Sequence, residues 1–391
     1  MIFCYYTFAV IFYIITAPFL FLLSFFKEKY KISLKSRFFL YKNLKQEYAD
    51  VHFHACSYGE VKSMGCLFKQ INNYRISVIT NTGFNEALRH THKVNFLPFE
   101  IFIPFWFKPC KVLVIFEAEL WLMLVFMAKF FNAKIILINA RISDKSQKKY
   151  EKFKFFYKVI FRYIDEVFAQ SLKDKERLEA LGAKNVIAYK NIKINNENKT
   201  TRKFLKLNSR LLILASTHEN EEELILSKIE LSENDKLIIA PRHPERFKKV
   251  EKILQTFCKK NNFSMQKFSN LNLNNNTLEN EFVGKCLLLD SLGELENFYS
   301  ISDIVFLCGS FVRNIGGHNP VEAAKYKNII ISGEYFFNQE SLYSEVENIY
   351  ICKNLDEINT YLQQELSYAK IKKQNDLLQI IQSIKEGLNA R

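Results

Sequence analysis

The sequence predicts an α/β protein made of two doubly wound parallel sheets. From residue 50 onward, short apolar segments rich in branched side chains alternate with helical segments, as strands and crossover helices do in parallel sheets. A polar stretch rich in Asn and Lys interrupts this alternation, which then begins again. The length of 391 residues suits two domains of ordinary size. We therefore expect two Rossmann-like domains joined by a linker.

An apolar segment, residues 1–26, precedes the predicted domains and contains no charged side chain. At a rise of about 1.5 Å per residue, a helix of this length can cross a hydrocarbon core of roughly 30 Å. A basic flank follows, which predicts a membrane anchor with the rest of the chain on the cytoplasmic side. A buried hairpin or an interfacial helix broken near Pro18 is the alternative. The flank consists of Lys27, Lys29, Lys31, Lys35 and Arg37.

The first domain is predicted to span residues 27–194, with residues 195–208 as the linker. Each predicted strand is a run of branched and aromatic residues, and most are followed by a helical segment. The predicted strands are 50–56, 76–80, 111–116, 134–139, 166–169 and 186–189. The predicted helices are 60–71, 85–90, 120–131, 147–163 and 173–181.

The second domain is predicted to span residues 209–354. A helical tail, residues 355–391, is expected to pack back toward the first domain. The low-complexity segment 271–281 is expected to be an exposed loop or a disordered insert. The predicted strands are 211–216, 236–240, 285–290, 303–308 and 328–332. The predicted helices are 221–229, 245–260, 293–300, 320–326 and a last one from residue 338 onward.

The formal net charge of +14 favours an anionic partner. Nucleic acid, an acidic membrane face and a phosphorylated substrate all meet that description. The sequence has no arginine-rich tract, zinc-finger spacing or aromatic RNA-binding motif, so we expect no nucleic-acid partner and rank anionic membrane lipid above it. No feature indicates an obligatory protein partner.

The eight cysteines are scattered and form no CxxC pair. This spacing indicates reduced thiols rather than a disulfide framework. The seven histidines form no HExxH motif, so we expect no metal site.

A glycine-rich turn follows the predicted strand 303–308 and leads into a helix. Asn319 is placed to cap this helix, Pro320 to occupy its first position, and Glu322 lies three residues past the cap. A strand, a glycine turn and a helix N-terminus form an anion site, because free N–H groups and the helix dipole point to one place. The alternative is a helix entry that only requires a tight turn, with Glu322 as a capping residue.

Polar residues also follow strands of the first domain. Glu60 lies at a helix start, where a carboxylate stays ionised and can act as a general base toward a hydroxyl. Its structural alternative is an acid favoured by the helix dipole. Of the two acids after strand 111–116, Glu119 suits a capping role and Glu117 a role in orienting groups or stabilising charge. Arg141, after the next strand, either recognises an anion or neutralises these acids.

In the second domain, Arg242 follows strand 236–240, and its guanidinium suits phosphate binding. A surface ion pair with Glu245 is the alternative. Gly293 marks another helix start with exposed amides. Open α/β sheets bind ligands at the carboxyl ends of their strands, so we expect the chemistry in a cleft between the two domains.

Eight motifs resemble, in the same order, the signatures of the bacterial 3-deoxy-D-manno-octulosonic acid (Kdo) transferases. Each motif is weak alone, but eight in order are highly specific. The resemblance covers most of the chain and includes the N-terminal anchor. The motifs are HACSYGE (54–60), FEAELW (116–121), NARISDKS (139–146), AQSLKDKERLEALGA (169–183), ASTHENEEE (215–223), PRHPERF (241–247), GEL (293–295) and GGHNPVEAA (316–324).

The resemblance implies a two-domain GT-B glycosyltransferase at the cytoplasmic face of the inner membrane. Such an enzyme transfers Kdo from CMP-Kdo to a lipid A precursor with inversion and without a cofactor. CMP carries one phosphate and Kdo one carboxylate, so cations and amides can hold the donor, and we expect no metal. The first domain would bind the acceptor and the second the donor. Glu60 matches the family's proton acceptor, and Glu117 and Lys193 match its transition-state stabilisers. The positions that match its CMP-binding segments are Pro241, Arg242, Leu292, Gly293, Glu294, Asn319, Pro320, Val321 and Glu322.

The sequence departs from the family's pattern at four places. Leu122 stands where a Pro usually follows ELW, Lys190 where a Gly precedes Asn-x-Lys, and Cys308 where a Gly precedes Gly309. The helix end that usually carries Gly-x-Pro has the residues Tyr-Lys-Asn at 326–328.

Two other functions stay open on the residues alone. One is a membrane-associated GT-B enzyme that uses a different nucleotide sugar, against which PRHPER and GGHNPVE argue. The other is a non-catalytic, membrane-bound nucleotide-binding protein. The joint presence of Glu60, Glu117, Lys193 and Arg242 argues against that one.

Overall fold

The computed structural model describes residues 1–26, 31–39, 43, 46–195, 200–273, 278–372 and 377–390. The chain divides into two compact units, Met1–Asn196 with Asn375–Arg391, and Glu197–Gln374. Each unit contains a seven-stranded sheet whose neighbouring strands are all parallel. The predicted α/β class with two Rossmann-like domains is therefore confirmed.

The sheet of the first unit has the strand order β3-β2-β1-β4-β5-β6-β7. Its central strands have apolar side chains on both faces, as expected of a sheet covered by helices on both sides. The strands are β1 (Val51–His54), β2 (Tyr74–Val78), β3 (Val94–Phe96), β4 (Val112–Phe116), β5 (Lys134–Ala140), β6 (Glu166–Ala169) and β7 (Val186–Ala188).

The described α-helices of the first unit before the linker number nine. The predicted long helix over 147–163 is wrong in one respect: it is two helices, because Phe153 leaves the helical region at φ −103° and ψ 24°. The helices are α1 (Ile2–Phe26), α2 (Ser33–Arg37), α3 (Tyr58–Phe68), α4 (Asn81–Ala87), α5 (Ile103–Trp106), α6 (Leu122–Phe130), α7 (Asp144–Lys152), α8 (Lys154–Phe161) and α9 (Leu172–Ala180).

The sheet of the second unit has the strand order β10-β11-β9-β8-β12-β13-β15, and a separate pair, β14 and β16, is antiparallel. Its core contains the apolar faces of β8, β9 and β12. The strands are β8 (Arg210–Thr217), β9 (Asp235–Pro241), β10 (Met265–Lys267), β11 (Cys286–Leu288), β12 (Ile304–Leu307), β13 (Ile329–Gly333), β14 (Val346–Glu347), β15 (Ile349–Cys352) and β16 (Lys370–Ile371).

The helices of the second unit are shorter than predicted. The last predicted helix, from residue 338 onward, is a single turn at 340–343. The described helices are α10 (Glu221–Leu226), α11 (Phe247–Asn261), α12 (Leu278–Glu281), α13 (Leu295–Tyr299), α14 (Pro320–Ala324), α15 (Glu340–Tyr343) and α16 (Ile358–Gln363).

The C-terminal tail is not one helix. Residues 355–372 form α16 and β16 within the second unit, and only α17 (Leu378–Asn389) belongs to the first. Ile380 and Ile384 of α17 are buried in the core beneath the first sheet. A Cβ on Gly387 would lie 2.7 Å from the Val112 side chain, so the absence of a side chain there permits the close contact between α17 and β4.

Helix α1 is long and apolar enough to cross a membrane by length and composition. One side of it contacts the rest of the first unit: Tyr5 donates to the Glu100 carboxylate, and Tyr6 Oη lies 2.7 Å from the Ile101 carbonyl oxygen. Phe8 and Ile15, among other large apolar side chains of α1, are exposed.

Parts of several sequence-based predictions lie outside the described residues. These are the basic flank at 27–30, the first domain at 40–42 and 44–45, the linker at 196–199, the low-complexity segment at 274–277, and the helical tail at 373–376 and 391.

Candidate functional site

The strand order of the first sheet changes direction between β1 and β4, and such a switch point is where open α/β sheets bind ligands. Glu60 follows β1 in the first turn of α3, and Glu117 directly follows β4. The two predicted acids therefore belong to one end of the sheet. Glu60 and Glu117 are close enough to interact electrostatically.

Glu60 is half-buried, and both of its carboxylate oxygens accept hydrogen bonds. The Cys56 N–H donates to Oε2 at 2.7 Å, and the Ser57 hydroxyl donates to Oε1 at 3.0 Å. Burial, together with the negative charges of Glu117 and Glu119, raises the pKa of Glu60 to about 7 despite these bonds. Glu60 is therefore ionised less readily than an ordinary carboxylate at a helix start. A pKa near the operating pH is the value that suits a general base.

Glu117 and Lys193 form an ion pair, with 2.7 Å between Lys193 Nζ and Glu117 Oε1. Lys193 lies in a short 3-10 helix, Ile192–Asn195, that follows β7. Glu117 adopts a left-handed backbone conformation, with φ of +55°. Such a conformation is costly for a residue with a side chain and is found at sites where it aims a functional group.

A network of buried amides joins the two halves of this ion pair. Asn139 Nδ2 lies 3.2 Å from Glu117 Oε1, and Asn139 Oδ1 accepts from the Ile192 N–H at 3.0 Å. Gln170 accepts at 3.1 Å from the side chain of Asn191. The predicted site residues did not include Asn139 or Gln170. The signal was present, because both are polar residues at strand ends within the NARISDKS and AQSLKDKERLEALGA motifs.

The predicted capping role of Glu119 is wrong. Helix α6 begins at Leu122 with Trp121 as its N-cap residue, and that cap has no side-chain hydrogen bond. Glu119 Oε2 instead accepts from Trp121 Nε1 at 2.9 Å and lies 3.8 Å from His54 Nε2. Burial raises the pKa of Glu119, but His54, Trp121 and Arg37 outweigh that effect and lower it overall.

The second sheet changes direction between β8 and β12, and the glycine-rich turn lies at this switch point. Glu221, fully buried at the start of α10, ties the two strand ends together. Its carboxylate accepts from the backbone N–H groups of Gly309 at 2.7 Å, Phe311 at 3.0 Å and His218 at 2.9 Å. The sequence placed Glu221 in a helix start but gave no sign of its burial.

The glycines of the turn leave room for the protein's own chain. Gly309 has φ of +75°, and a Cβ on it would lie 2.8 Å from the His318 ring. Gly317 has φ of +82°, and a Cβ on it would lie 2.9 Å from the Cβ of Phe336. Both positions therefore require glycine for packing within the second unit.

His218 and His318 form a hydrogen-bonded pair beside this turn, with 2.9 Å between their Nε2 atoms. Burial and neighbouring His243 lower the pKa of His218 to about 4, and burial and His218 lower that of His318 to about 3. Both rings are therefore neutral at pH 7, and one Nε2–H donates to the other. Neither histidine was among the predicted site residues.

The two arginines of the PRHPERF motif differ in role. Arg246 makes two hydrogen bonds of 2.8 Å to the fully buried Glu222. Arg242 is exposed, and within the described residues it forms no ion pair with Glu245, the structural alternative weighed for it. Arg242 directly follows Pro241, which ends β9.

The other predicted donor-site residues also follow strands of this sheet. Asn319 caps α14, its side chain accepting from the Val321 N–H at 3.0 Å, as predicted. The helix has only five residues, so its dipole is weaker than the sequence implied. Pro320 and Val321, the first two residues of this helix, are buried. Burial raises the pKa of the Tyr299 hydroxyl, and the charge of Glu322 adds to this effect while that of Arg242 opposes it.

The segment after β11 is more open. Leu292 is exposed, and Gly293, with φ of +85°, has open space where a Cβ would be. Glu294 accepts from Asn297 Nδ2 at 2.6 Å and lies 3.5 Å from Arg202 Nε. In the parts of the chain that the structure describes, no group of three or more His, Cys, Asp or Glu side chains is arranged to hold a metal ion.

Two parallel-sheet units, each with polar residues after the strands of a switch point, have the architecture of a GT-B glycosyltransferase. Residues 33–196 match the family described as 3-deoxy-D-manno-octulosonic-acid transferase (kdotransferase). A 3-deoxy-D-manno-octulosonic acid transferase of Haemophilus influenzae is 30% identical over 345 residues, which are 81% of this chain and 78% of that protein. The chain belongs to the Kdo transferase family, as its motifs predicted, and is a glycosyltransferase.

Two further similarities agree with this assignment. A bifunctional glycosyltransferase/methyltransferase of Fusobacterium nucleatum is 34% identical over 354 residues, or 82% of this chain. The match spans only about half of that relative's length, 53%. A UDP-GlcNAc 2-epimerase from Neisseria meningitidis, solved bound to UDP-GlcNAc, has a TM-score of 0.53 at 10% identity over 87% of this chain and 94% of its own. That likeness concerns the fold alone.

Proposed function

We propose that this protein transfers Kdo from CMP-Kdo to a lipid A precursor in lipopolysaccharide biosynthesis. The observation that carries the proposal is the group formed by Glu60 and the Glu117–Lys193 ion pair at the switch point of the first sheet. It combines a carboxylate of raised pKa with a fixed pair of opposite charges. Membership of the Kdo transferase family supports the choice of sugar and donor.

Glu60 is the proposed general base. Its carboxylate takes the proton of an acceptor hydroxyl while the hydroxyl oxygen bonds to the anomeric carbon of Kdo. The bond from that carbon to the CMP phosphate breaks, and the configuration inverts because the oxygen enters opposite the leaving phosphate. Glu117 and Lys193 are the proposed stabilisers of the charge that develops at the sugar.

The CMP end of the donor is proposed to bind at the carboxyl ends of the strands of the second sheet. Arg242 is exposed and free of an ion pair with Glu245, so its guanidinium is available to the phosphate. The segments 241–242, 292–294 and 319–322 follow β9, β11 and β12 of that sheet. One phosphate and one carboxylate can be held by cations and amides, so metal independence is part of the proposal.

Helix α1 is proposed to anchor the enzyme at the cytoplasmic face of the inner membrane. Its exposed apolar side chains and the net charge of +14 support contact with anionic lipid. Flotation with vesicles that contain anionic lipid tests this part, with a variant lacking residues 2–26 as the control. Equal flotation of both proteins would contradict the anchor.

Transfer of radiolabelled Kdo to a purified lipid A precursor, with CMP-Kdo generated in situ, tests the activity. We expect product with the wild-type chain and the same amount of product in EDTA. With Glu60→Gln we expect no product above background. Product with a different acceptor but not with lipid A precursor would overturn the acceptor assignment. Activity lost in EDTA and restored by Mg²⁺ would overturn metal independence.

A further inference from the structure

A buried chain of polar side chains lies behind the carboxylates of the first unit. It runs from Arg75 through His52 and Ser77 to His54, and its last member faces Glu119. His52, Ser77 and His54 are fully buried and Arg75 is 1% exposed. These hydrogen-bonded side chains connect β2 to β1. The last of them, His54, lies four residues before helix α3 begins at Tyr58. Buried polar groups of this kind are costly unless their hydrogen bonds are satisfied.

The direction of the hydrogen bonds along this chain follows from its first member. A guanidinium can only donate, so Arg75 Nη2, at 3.4 Å, makes His52 Nδ1 an acceptor. Burial, followed by the charge of Arg75, lowers the pKa of His52 well below its usual value, so this ring is neutral and its proton is on Nε2. His52 Nε2 then donates to Ser77 Oγ, 2.8 Å away.

The hydrogen bond from Ser77 to His54 runs in the same direction. Its hydroxyl already accepts from His52, and its own proton is directed to His54 Nδ1 at 2.8 Å. The Ser77 carbonyl oxygen lies 3.2 Å from the same nitrogen. A proton on Nδ1 would satisfy that carbonyl but would leave the shorter Ser77 hydroxyl bond without an acceptor. With a single ring proton, His54 therefore carries it on Nε2.

The Nε2–H of His54 points toward the candidate active site. Among the described residues this buried nitrogen has no hydrogen-bond partner, and Glu119 Oε2 lies 3.8 Å away. Leaving a buried donor unpaired costs about 1–3 kcal/mol, and a hydrogen bond to an acceptor would remove that cost. A shift of less than 1 Å would complete the bond to a carboxylate that already accepts from Trp121.

We propose that His54 is a positioning residue that keeps Glu119 ionised beside Glu60. The hydrogen bonds that run from Arg75 through His52 and Ser77 place the His54 proton on Nε2, and this Nε2–H faces the Glu119 carboxylate. The inference rests on the proposed role of Glu60 as the base. An ionised Glu119 disfavours a second negative charge close by, so it raises the affinity of the Glu60 carboxylate for a proton and makes it a stronger base toward the acceptor hydroxyl. His54 thereby acts on the reaction without touching the substrate.

Several other groups face the carboxylates of Glu60 and Glu119 and also influence their ionisation. Arg37 faces Glu119, and its guanidinium lies over the Trp121 and Phe99 rings. The Cys56 thiol hydrogen-bonds to Glu119, and burial raises the pKa of that thiol to about 12, so it stays neutral. Tyr150 faces Glu119 from α7, and Glu117, paired with Lys193, faces Glu60.

Two substitutions of His54 separate its two hydrogen bonds. His54→Gln places an amide N–H near the position of Nε2 and keeps a donor for Glu119. His54→Asn places its amide near Nδ1, so it keeps a partner for Ser77 and loses the donor to Glu119. The readout is the pH dependence of kcat/KM for Kdo transfer, because the acid limb reports the ionisation of the base in the free enzyme.

We expect the acid limb of His54→Asn to move to lower pH by on the order of half to one unit. Without the donor, Glu119 takes up a proton more readily, less negative charge faces Glu60, and Glu60 ionises at lower pH. His54→Gln should keep the wild-type limb. In a Glu119→Gln background the limb should already lie at lower pH, and adding His54→Asn should move it no further.

Ser77→Ala provides a second route if the His54 variants do not fold. It removes the hydroxyl that fixes the His54 tautomer, so the Nδ1–H can turn to the Ser77 carbonyl and Nε2 loses its proton. The limb should then move in the same direction as in His54→Asn. A limb unchanged in both variants, or a shift that persists in the Glu119→Gln background, would overturn the inference. Wild-type enzyme without transfer activity would instead mean that the proposed function has failed.

Discussion

The ammonium nitrogen of Lys193 lies 2.7 Å from Oε1 of Glu117. These two residues come from places 76 positions apart in the chain (193 − 117), after β4 and after β7. Asn139 contacts Glu117 with its amide nitrogen and the backbone of Ile192 with its amide oxygen, so one side chain aligns both partners. The pair therefore acts as one unit, and removal of either member should disturb the other.

The first prediction concerns this coupling. Glu117→Gln and Lys193→Met should each lower kcat by on the order of 100-fold or more, the usual cost of losing a group that stabilises transition-state charge. The double variant should be little worse than either single one, because each change already breaks the unit. The measurement is single-turnover Kdo transfer. Losses that multiply in the double variant would show that the two residues act independently.

The second prediction concerns Glu60 and stability. Its pKa is raised from 4.5 to about 7 in the folded protein, so between these values the folded state binds more protons than the unfolded state. Ionisation of Glu60 therefore makes the protein less stable as the pH rises through this range. Glu60→Gln should abolish transfer yet raise the free energy of unfolding at pH 8, by at most about 3 kcal/mol, with little gain at pH 5.

Denaturant unfolding at the two pH values checks this. Glu365→Gln, a change at an exposed carboxylate in the second unit, is the matched control and should show no such dependence. A Glu60→Gln protein that is less stable than wild type at pH 8 would mean that the bonds from Cys56 and Ser57 outweigh the burial of charge.

Most of the fold could be predicted from the sequence, because the central strands are continuous apolar runs. β4 and β12, for example, were placed to within one residue. β3 and β10 were missed because each is only three residues long and has a polar residue in its middle, Asn95 and Gln266. Periodicity carries no signal over so short a segment.

The site was predictable only in part, for a different reason. Positions that follow strands could be placed by pattern, and Glu60, Glu117 and Lys193 do lie in one unit. The raised pKa of Glu60 could not be foreseen, because it depends on burial and on two carboxylates brought in from another strand end. The burial of Glu221 was hidden as well, since a run of three acids at a helix start is usually exposed to solvent.

The third prediction concerns Lys190, which replaces the glycine of the family's pattern. Lys190 has φ of +86°, so the chain keeps a conformation that favours glycine while carrying a side chain. Relief of this strain is worth on the order of 1 kcal/mol, partly offset by the greater freedom of glycine in the unfolded chain. Lys190→Gly should therefore be at least as stable as wild type, and Lys190→Ala should not.

Thermal unfolding of both variants checks this, and transfer activity adds a second readout. Lys190→Gly should retain activity within a few-fold of wild type, because Lys193 and its partner keep their positions. If Lys190→Gly unfolds at a lower temperature than wild type, contacts of the Lys190 side chain outweigh the backbone strain.

The fourth prediction uses the two arginines of the PRHPERF motif as a matched pair. Arg246 is paired with the fully buried Glu222, so Arg246→Met leaves an uncompensated buried carboxylate and should cost about 3–5 kcal/mol of stability. Arg242 is exposed, and Arg242→Met should change stability by less than about 0.5 kcal/mol. Its proposed contact is with the donor phosphate, so CMP affinity should fall by about tenfold or more in Arg242→Met.

Denaturant unfolding and calorimetric CMP titration separate the two effects. Unchanged CMP affinity in Arg242→Met would remove this residue from the donor site, whereas an unfolding free energy of Arg246→Met equal to that of wild type would show that water reaches Glu222 and replaces its partner.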